Sequence, residues 1–421
     1  MSGNSHHPDK LDRVGGYSID AIRIHPSTGE KALKIEFGFV TELNIYEDIQ
    51  SNAITGSMEI VDTYNLIGNA QLQGNERLSF ILQTPGRGAA GMVATVDASE
   101  ETGYPFFIYS ITDRRPVSET TMTYTIYFCS NELARNTRLR VNRTFDGDLG
   151  RMAVKILKDP DGLNTKKPVF FEPTRNQDTV LMPNLRPFDA VNLIAKKALS
   201  GNANGAGYYF YETAKGFYFR SVENMLAYQS TFPRPQIRTL KYERPTNSGT
   251  MTDRKLHTQH HNVQSYEFIN KFDTLANQAL GTYASRVITY NIFDKSYAIN
   301  DYDYHRQYGQ LIHTDTTEEP RSRHNYPIAR NPIDNDPREI ANTGDKTISD
   351  YPESRIILQP STRYLHNENT GVFGTSTDNE GLTEAIRISQ KNQVHNSTIL
   401  KLVIPGLSEM QAGDVIRFDY P

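Results

Sequence analysis

Apolar and polar residues alternate along residues 40–45, and the alternation runs on into the acidic segment IYEDI. Ser51, Asn52, Thr55 and Gly56 then mark a turn, Met58 and Ile60 open a second alternating run, and a short apolar segment follows at 64–67. After 68–75 the alternation returns over 77–82. A period of two is the mark of strands with one buried face, and Gly, Asn and Ser clusters mark the turns between them. The stretch therefore predicts two antiparallel strands, a half-turn or short helix, and a third strand. Upstream, 17–25 and 33–39 alternate around a turn at 26–30. Downstream, 106–112 and 121–129 alternate around a turn at 113–119. Six or seven antiparallel strands are enough for a small barrel or sandwich ending near Ser130.

From Asn131 the period changes. Leu149, Met152, Ala153, Ile156 and Leu157 fall at helical spacing behind Asp146, a suitable N-cap. Residues 163–179 read as a polar connection. Pro187 suits a first helical turn, and Phe188, Val191, Ile194, Ala195 and Leu199 form an apolar stripe that ends at Gly201. A hairpin follows over 208–211 and 216–221. Beyond it, Phe268, Phe272, Leu275 and Ala279 predict a helix within 263–281, and 287–292 and 297–304 read as strands. Residues 305–380, rich in Pro, Asn, Asp and Thr, are too long for a plain loop in a compact domain. Leu382, Ala385, Ile386 and Ser389 then face one side of a helix, 398–404 is a strand, and Ile416, Phe418 and Tyr420 share a face of the last one.

Three blocks carry a family likeness. IYEDIQSNAITGSMEIVDTYNLIGNAQLQGNERLSF resembles the first tube domain of the central baseplate hub proteins of T-even-like contractile phage tails. NLRPFDAVNLIAKKA and YYFYETAKGFYFRSVENM resemble that family's second domain. EAIRISQ, followed by a strand, a PGL turn and AGDVIRF, resembles the end of its second tube domain. The resemblance implies an α+β, β-rich fold: two tail-tube-like antiparallel β-barrel or sandwich domains, a small α/β domain and an irregular insertion. The division expected is a flexible arm at 1–16, a first tube-like domain at 17–130, an α/β module at 131–235, a second tube-like domain from 236–300 and 382–421, and the insertion at 301–381. The family continues with further strands where this sequence stops at Pro421, so either the sequence is truncated or another chain supplies the edge.

The resemblance also implies a homotrimer whose six tube domains form a pseudo-sixfold ring in the virion's tail baseplate. That ring adapts a sixfold tube to a threefold cell-puncturing spike. Expected partners are the spike, tail tube or tube-initiator proteins and baseplate wedge proteins, with DNA present only in transit. Tyr46, Ile49, Ile54, Leu66 and Ile67 are the expected ring contacts, because they place apolar residues between strands. Plugging their own barrel is an equally good account of them.

Composition adds restraint. With 421 residues the chain has room for two to four domains of roughly 100–200 residues. Hydrophobic content of 37% and a mean hydropathy of -0.58 are low for an enzyme with a deep core. The 24 Tyr and absence of Trp suit strand faces and interfaces. A net charge of -4 gives no basic footprint for nucleic acid over the whole chain. Cys129, the single cysteine, lies in the alternating run YTIYFCS and reads as a small buried strand residue, not a catalytic thiol. No apolar run approaches the ~20 residues of a membrane span, and MSGNSHHPDKLDR lacks a signal peptide's apolar core, so a soluble protein made in the cytosol is expected.

Candidate chemistry is thin. His257, His260 and His261 in HTQHH could supply metal nitrogens, and His257 and His261 are four apart, but Thr258 stands where a zinc helix needs Glu. Asp301, Asp303 and His305 in DYDYH lack the glycine and terminal Glu of a calcium loop. TPGRGAAG has no Lys-Ser/Thr of a phosphate loop, and GTSTD is not a nucleophile elbow. Asp146 and Asp148 are explained by capping. No catalytic residue, cofactor or metal is expected. A cell-wall or glycan-degrading enzyme is the alternative, to be detected by turnover that one carboxylate substitution abolishes. A host-binding or fibre-attachment protein is a third reading.

Overall fold

The computed structural model describes residues 17–27, 31–70, 72–85, 92–101, 104–201, 205–226, 238–242, 262–270, 273–291, 295, 297–307, 311, 351–361, 365–367, 372–374, 380–396, 398–406 and 410–420. Eight strands form the first sheet: Ser18–His25 (β1), Leu33–Lys34 (β2), Val40–Tyr46 (β3), Thr55–Asp62 (β4), Arg77–Pro85 (β5), Met92–Asp97 (β6), Phe106–Pro116 (β7) and Met122–Ser130 (β8). Their order is β2-β1-β5-β7-β8-β4-β3, with β6 added beside β5, and every pairing is antiparallel. Strict alternation in β4 sends Gly56, Met58, Ile60 and Asp62 inward. These meet Ile22 and Ile24 of β1, Phe80 of β5 and Phe128 of β8 in one core. A Cβ on Gly56 would come within 2.3 Å of the Phe128 ring, so only glycine lets the two strands pack here. The chain is β-rich and this sheet antiparallel as expected, but among the described residues the sheet stays open: β3 pairs only with β4, and β2 only with β1.

The predicted half-turn is the helix Leu66–Ala70. Buried Asp62 starts it by accepting from the backbone N–H groups of Tyr64 and Leu66. One strand is longer than its alternation suggested. The β7–β8 turn sits at 117–121, where Val117 N donates to Thr121 O, because β7 carries two register shifts that break its period.

The next five strands are Thr144–Asp148 (β9), Val169–Phe171 (β10), Gln177–Leu181 (β11), Tyr208–Thr213 (β12) and Gly216–Ser221 (β13). Helices Leu149–Lys158 and Pro187–Lys197 pack with the β10-β13-β12 sheet around a core that includes Met152, Ile156, Phe188 and Phe210. The N-cap of the first helix is Asp148, which accepts from Arg151 N at 2.7 Å. Asp146 instead lies in β9 and accepts from Thr179 Oγ1. Nor is 163–179 a plain connection: β10 pairs parallel with β13, and β11 antiparallel with β9. Strands this short carry too few residues for a periodic signal.

The remaining strands are Arg238–Lys241 (β14), Ser265–Asn270 (β15), Ala284–Asn291 (β16), Tyr297–Asp303 (β17), Ile356–Ser361 (β18), Leu365–Asn367 (β19), Val372–Gly374 (β20), Ile399–Val403 (β21) and Ile416–Asp419 (β22). The helix expected within 263–281 is corrected. Tyr266 and Phe268 alternate in β15, paired with β21, and only Thr274–Ala279 is helical, capped by Asp273. Phe272 lies outside the described residues. β14 pairs parallel with β22, and β16 is flanked by β17 and by β18, which comes from within 301–381. The helix Glu380–Asn396 lays Ala385, Ile386 and Ser389 against this last sheet. Tyr302 Oη donates to Ser389 Oγ, which donates to Thr282 O.

Candidate functional site

The segment between β3 and β4, where two of the expected ring contacts lie, Ile49 and Ile54, is held by the rest of its own chain. Glu47 accepts from Ala214 N at 2.6 Å and from Ala412 N at 3.1 Å, joining the β12–β13 turn to the turn before β22. Gln50 Nε2 lies 2.7 Å from His395 Nδ1 on the helix Glu380–Asn396. Asn52 donates to Phe210 O and exchanges an amide hydrogen bond with Asn192. Ile54 N donates to Glu212 Oε2, while Ile54 O accepts from Ser130 N. Parts of the chain far apart in sequence thus meet on one turn of about eight residues.

The five expected contact residues are placed differently from one another. Tyr46 is 55% exposed. Ile49 packs against a buried cluster of Tyr209, Tyr211, Tyr218, Val222 and Met225. Ile54 is 2% exposed and belongs to the first sheet's core, so it offers no surface. Leu66 and Ile67 are partly buried against the same core. The polar residues Glu47 and Gln50, which sequence reasoning passed over, and Asn52, read from the sequence only as a turn marker, make the specific bonds of this turn. Their density in EDIQSN was the available signal, since polar side chains that bond backbone groups fix a turn better than apolar ones.

Behind the turn lies a buried ionic cluster. Lys167 Nζ stands 2.5 Å from Glu212 Oε1 and 3.2 Å from Glu132 Oε2. Thr165 Oγ1 donates to Glu132 Oε1 at 2.7 Å. Burial pushes the Glu212 carboxyl up, with Lys167 opposing. For Lys167, burial works against the charge, but Glu212 and then Glu132 outweigh it and hold its pKa above the ordinary lysine value. Burial likewise raises Glu47, against its two backbone hydrogen bonds. Such a cluster costs desolvation free energy and gains specificity of docking between the parts that supply it.

Three candidate reactive groups among the described residues are tied up by their surroundings. Burial pushes Cys129 up to about 12, so it holds no thiolate at neutral pH. Asp301, in DYDYH, is bound by Arg286 at 2.6 and 2.8 Å, and that hydrogen bonding lowers its pKa. Asp303 pairs with Arg306. Among the described residues no three His, Cys, Asp or Glu side chains group as metal ligands. HTQHH, the glycine-rich residues 86–91 and most of GTSTD lie outside the described residues. No described helix is long and apolar enough to cross a membrane.

No family model matches this chain, and no curated protein does. Solved structures give loose likenesses. A tail protein from Neisseria meningitidis MC58 is 12% identical, with a TM-score of 0.45 over 92% of this chain and 80% of its own. The 43 kDa tail protein of prophage MuSo2 from Shewanella oneidensis is 9% identical, with a TM-score of 0.44 over 94% and 87%. A type VI secretion system component from E. coli is 12% identical, with a TM-score of 0.28 over 52% and 57%. All three fall below a TM-score of 0.5, so they are likenesses only.

Proposed function

We propose that this chain is a structural subunit of a contractile phage tail, a baseplate hub that works as a homotrimer. Three copies, each bringing two similar β-rich halves, would continue a sixfold tube on one side. On the other side they would present a threefold socket to a cell-puncturing spike. The logic is symmetry matching: six look-alike edges can repeat the contacts of a hexameric ring, while the other parts of the subunit occur only three times. Tail tube or tube-initiator proteins meet the ring, wedge proteins surround it, and DNA passes through the bore. With a net charge of -4, the chain has no overall positive excess to hold that DNA.

The sequence resemblance in three separated blocks motivates this reading. The structural observation that supports it is the clamped turn at 46–54. Through Glu47, Gln50, Asn52 and Ile54, it ties the first sheet to the module and to the C-terminal strands and helix. A part that passes sheath contraction on to a spike needs such internal stiffness. An enzyme needs instead a cleft with poised groups, and the buried carboxylates Glu132 and Glu212 are occupied by Lys167. The test is the mass and symmetry of the purified assembly. A trimer with a threefold axis and an open bore is expected; any other stoichiometry sinks the proposal. Ile49→Asp is not a clean probe of ring contacts, because Ile49 packs within the chain. Tyr46→Asp at the exposed end of β3 replaces it.

A further inference from the structure

The open side of the first sheet holds a cavity of about 730 Å³. One wall is β3, and four consecutive residues of it, Val40, Thr41, Glu42 and Leu43, line the space. Consecutive side chains of a strand point to opposite faces, so a cavity touched by all four runs along the strand's edge. The facing wall is Ile19 of β1, Leu82 of β5 and Val96 of β6, from the other end of the same sheet, and Ala214 and the segment before β22, with Met410 and Ala412, also line the space. Among the described residues β3 has no partner on this side. A row of unpaired peptide groups beside an apolar trough is the complement of an extended strand with alternating apolar side chains.

Charge narrows the choice of strand. Glu42 stands directly across from Glu59 on β4, and among the described residues neither is paired with a Lys or Arg. Like charges opposite one another across a strand pair are unfavourable, and a cation from outside would relieve them. Of the strands in the second half with an unpaired edge among the described residues, β15 brings Glu267 and no Lys or Arg, β17 brings Asp301 and Asp303, and Pro360 removes a donor from β18. β19 and β20 have only three residues each, and the second edge of β14 is bridged at Lys241 by Asn262. On β22, Arg417 is already held by Asp419. β21, with sequence ILKLV, remains. It pairs only with β15, leaves Ile399 38% and Val403 41% exposed, and carries exposed Lys401 at its centre. Lys401 faces Glu267 across β15 without closing an ion pair among the described residues.

We infer that β21 of a second copy of this chain docks along the free edge of β3, with Lys401 over the Glu42–Glu59 pair and its apolar side chains in the trough. This inference rests on the trimer proposed above and names the contact that builds it. The pairing is head-to-tail: β3 and β21 are different surfaces, so each copy donates one and accepts one, and the chain of contacts closes when the ring is complete.

Two single-cysteine variants test it, Glu42→Cys in one full-length preparation and Lys401→Cys in another of different tag length. The native Cys129 is buried and does not compete. Mixed and gently oxidised, they should give a disulfide-linked pair containing one chain of each length. Charge reversal supplies the second reading: Glu42→Lys or Lys401→Glu alone should weaken association roughly two- to fivefold per contact, and the two in one chain should restore it. A trimer by mass that forms no mixed disulfide, or one that links Glu42→Cys only to itself, overturns the β21 assignment and leaves the hub reading standing. A chain that stays monomeric at every concentration overturns both.

Discussion

Lys167 holds two buried carboxylates apart from the solvent, and its removal is the sharpest single-residue experiment. In Lys167→Met, Glu212 and Glu132 lose their cation, and breaking a buried pair this way costs about 3–5 kcal/mol. A lower urea midpoint should report it. The pH dependence follows from Glu212, whose folded pKa lies above its unfolded value. The folded state therefore holds that proton more tightly, and stability is lost as pH rises through the raised value. Without Lys167 that loss grows, so the variant should lie nearest wild type in mildly acidic buffer and furthest from it at neutral pH. Lys391 behaves in the opposite sense. Burial, with Arg387 and Lys196, lowers it to about 8, although its Nζ sits over the Tyr209 ring at 5.0 Å. Below that value the folded protein bears the cost of a partly desolvated ammonium, and stability climbs between about pH 8 and the ordinary lysine range. Lys391→Met should flatten that climb and stabilise the protein at pH 7 by about 1–2 kcal/mol, part of the shift being discounted for exposure. Gly56→Val should cost about 1–3 kcal/mol, read from the same urea curves, because its side chain enters the space of Phe128.

At the scale of elements, Asp148 does two tasks. It caps the helix Leu149–Lys158 through Arg151 N and accepts from Thr174 N, so Asp148→Ala should cost about 2 kcal/mol and loosen the β9–β11 pair. Hydrogen exchange at Arg151 and Thr174 would show the two losses together. The elements that could be read from the sequence share a property: they are long enough to complete a period. β4, Pro187–Lys197 and Glu380–Asn396 carry their burial pattern in the order of their residues, while the β12–β13 hairpin, buried throughout, is legible from its aromatic runs on either side of a turn. β10 has three residues and β14 has four, and both pair in parallel with strands far along the chain, which no local pattern records. Tyr266 and Phe268 were absorbed into a longer helical template because i, i+2 spacing over six residues is ambiguous. The partners of the polar residues in the 46–54 turn are missing from the local sequence for a different reason. Glu47 and Gln50 read as solvated turn residues until folding brings Ala412 and His395 beside them.

For the whole molecule, the clamped turn makes the halves interdependent. Glu47→Ala removes acceptors for Ala214 and Ala412 at once, and should cost about 1–3 kcal/mol. Limited proteolysis should then release the C-terminal strands before the first sheet is cut; simultaneous cutting of both would show that the clamp does not couple them. A second long-range link is the parallel pairing of β14 with β22, the last of the described strands to leave the ribosome. Closing so long a loop is entropically slow, and β14 must wait for it while the first sheet, whose partners lie close in sequence, does not. Synthesis thereby becomes a timer: a polypeptide that has not yet reached β22 has a folded front and an uncommitted rear.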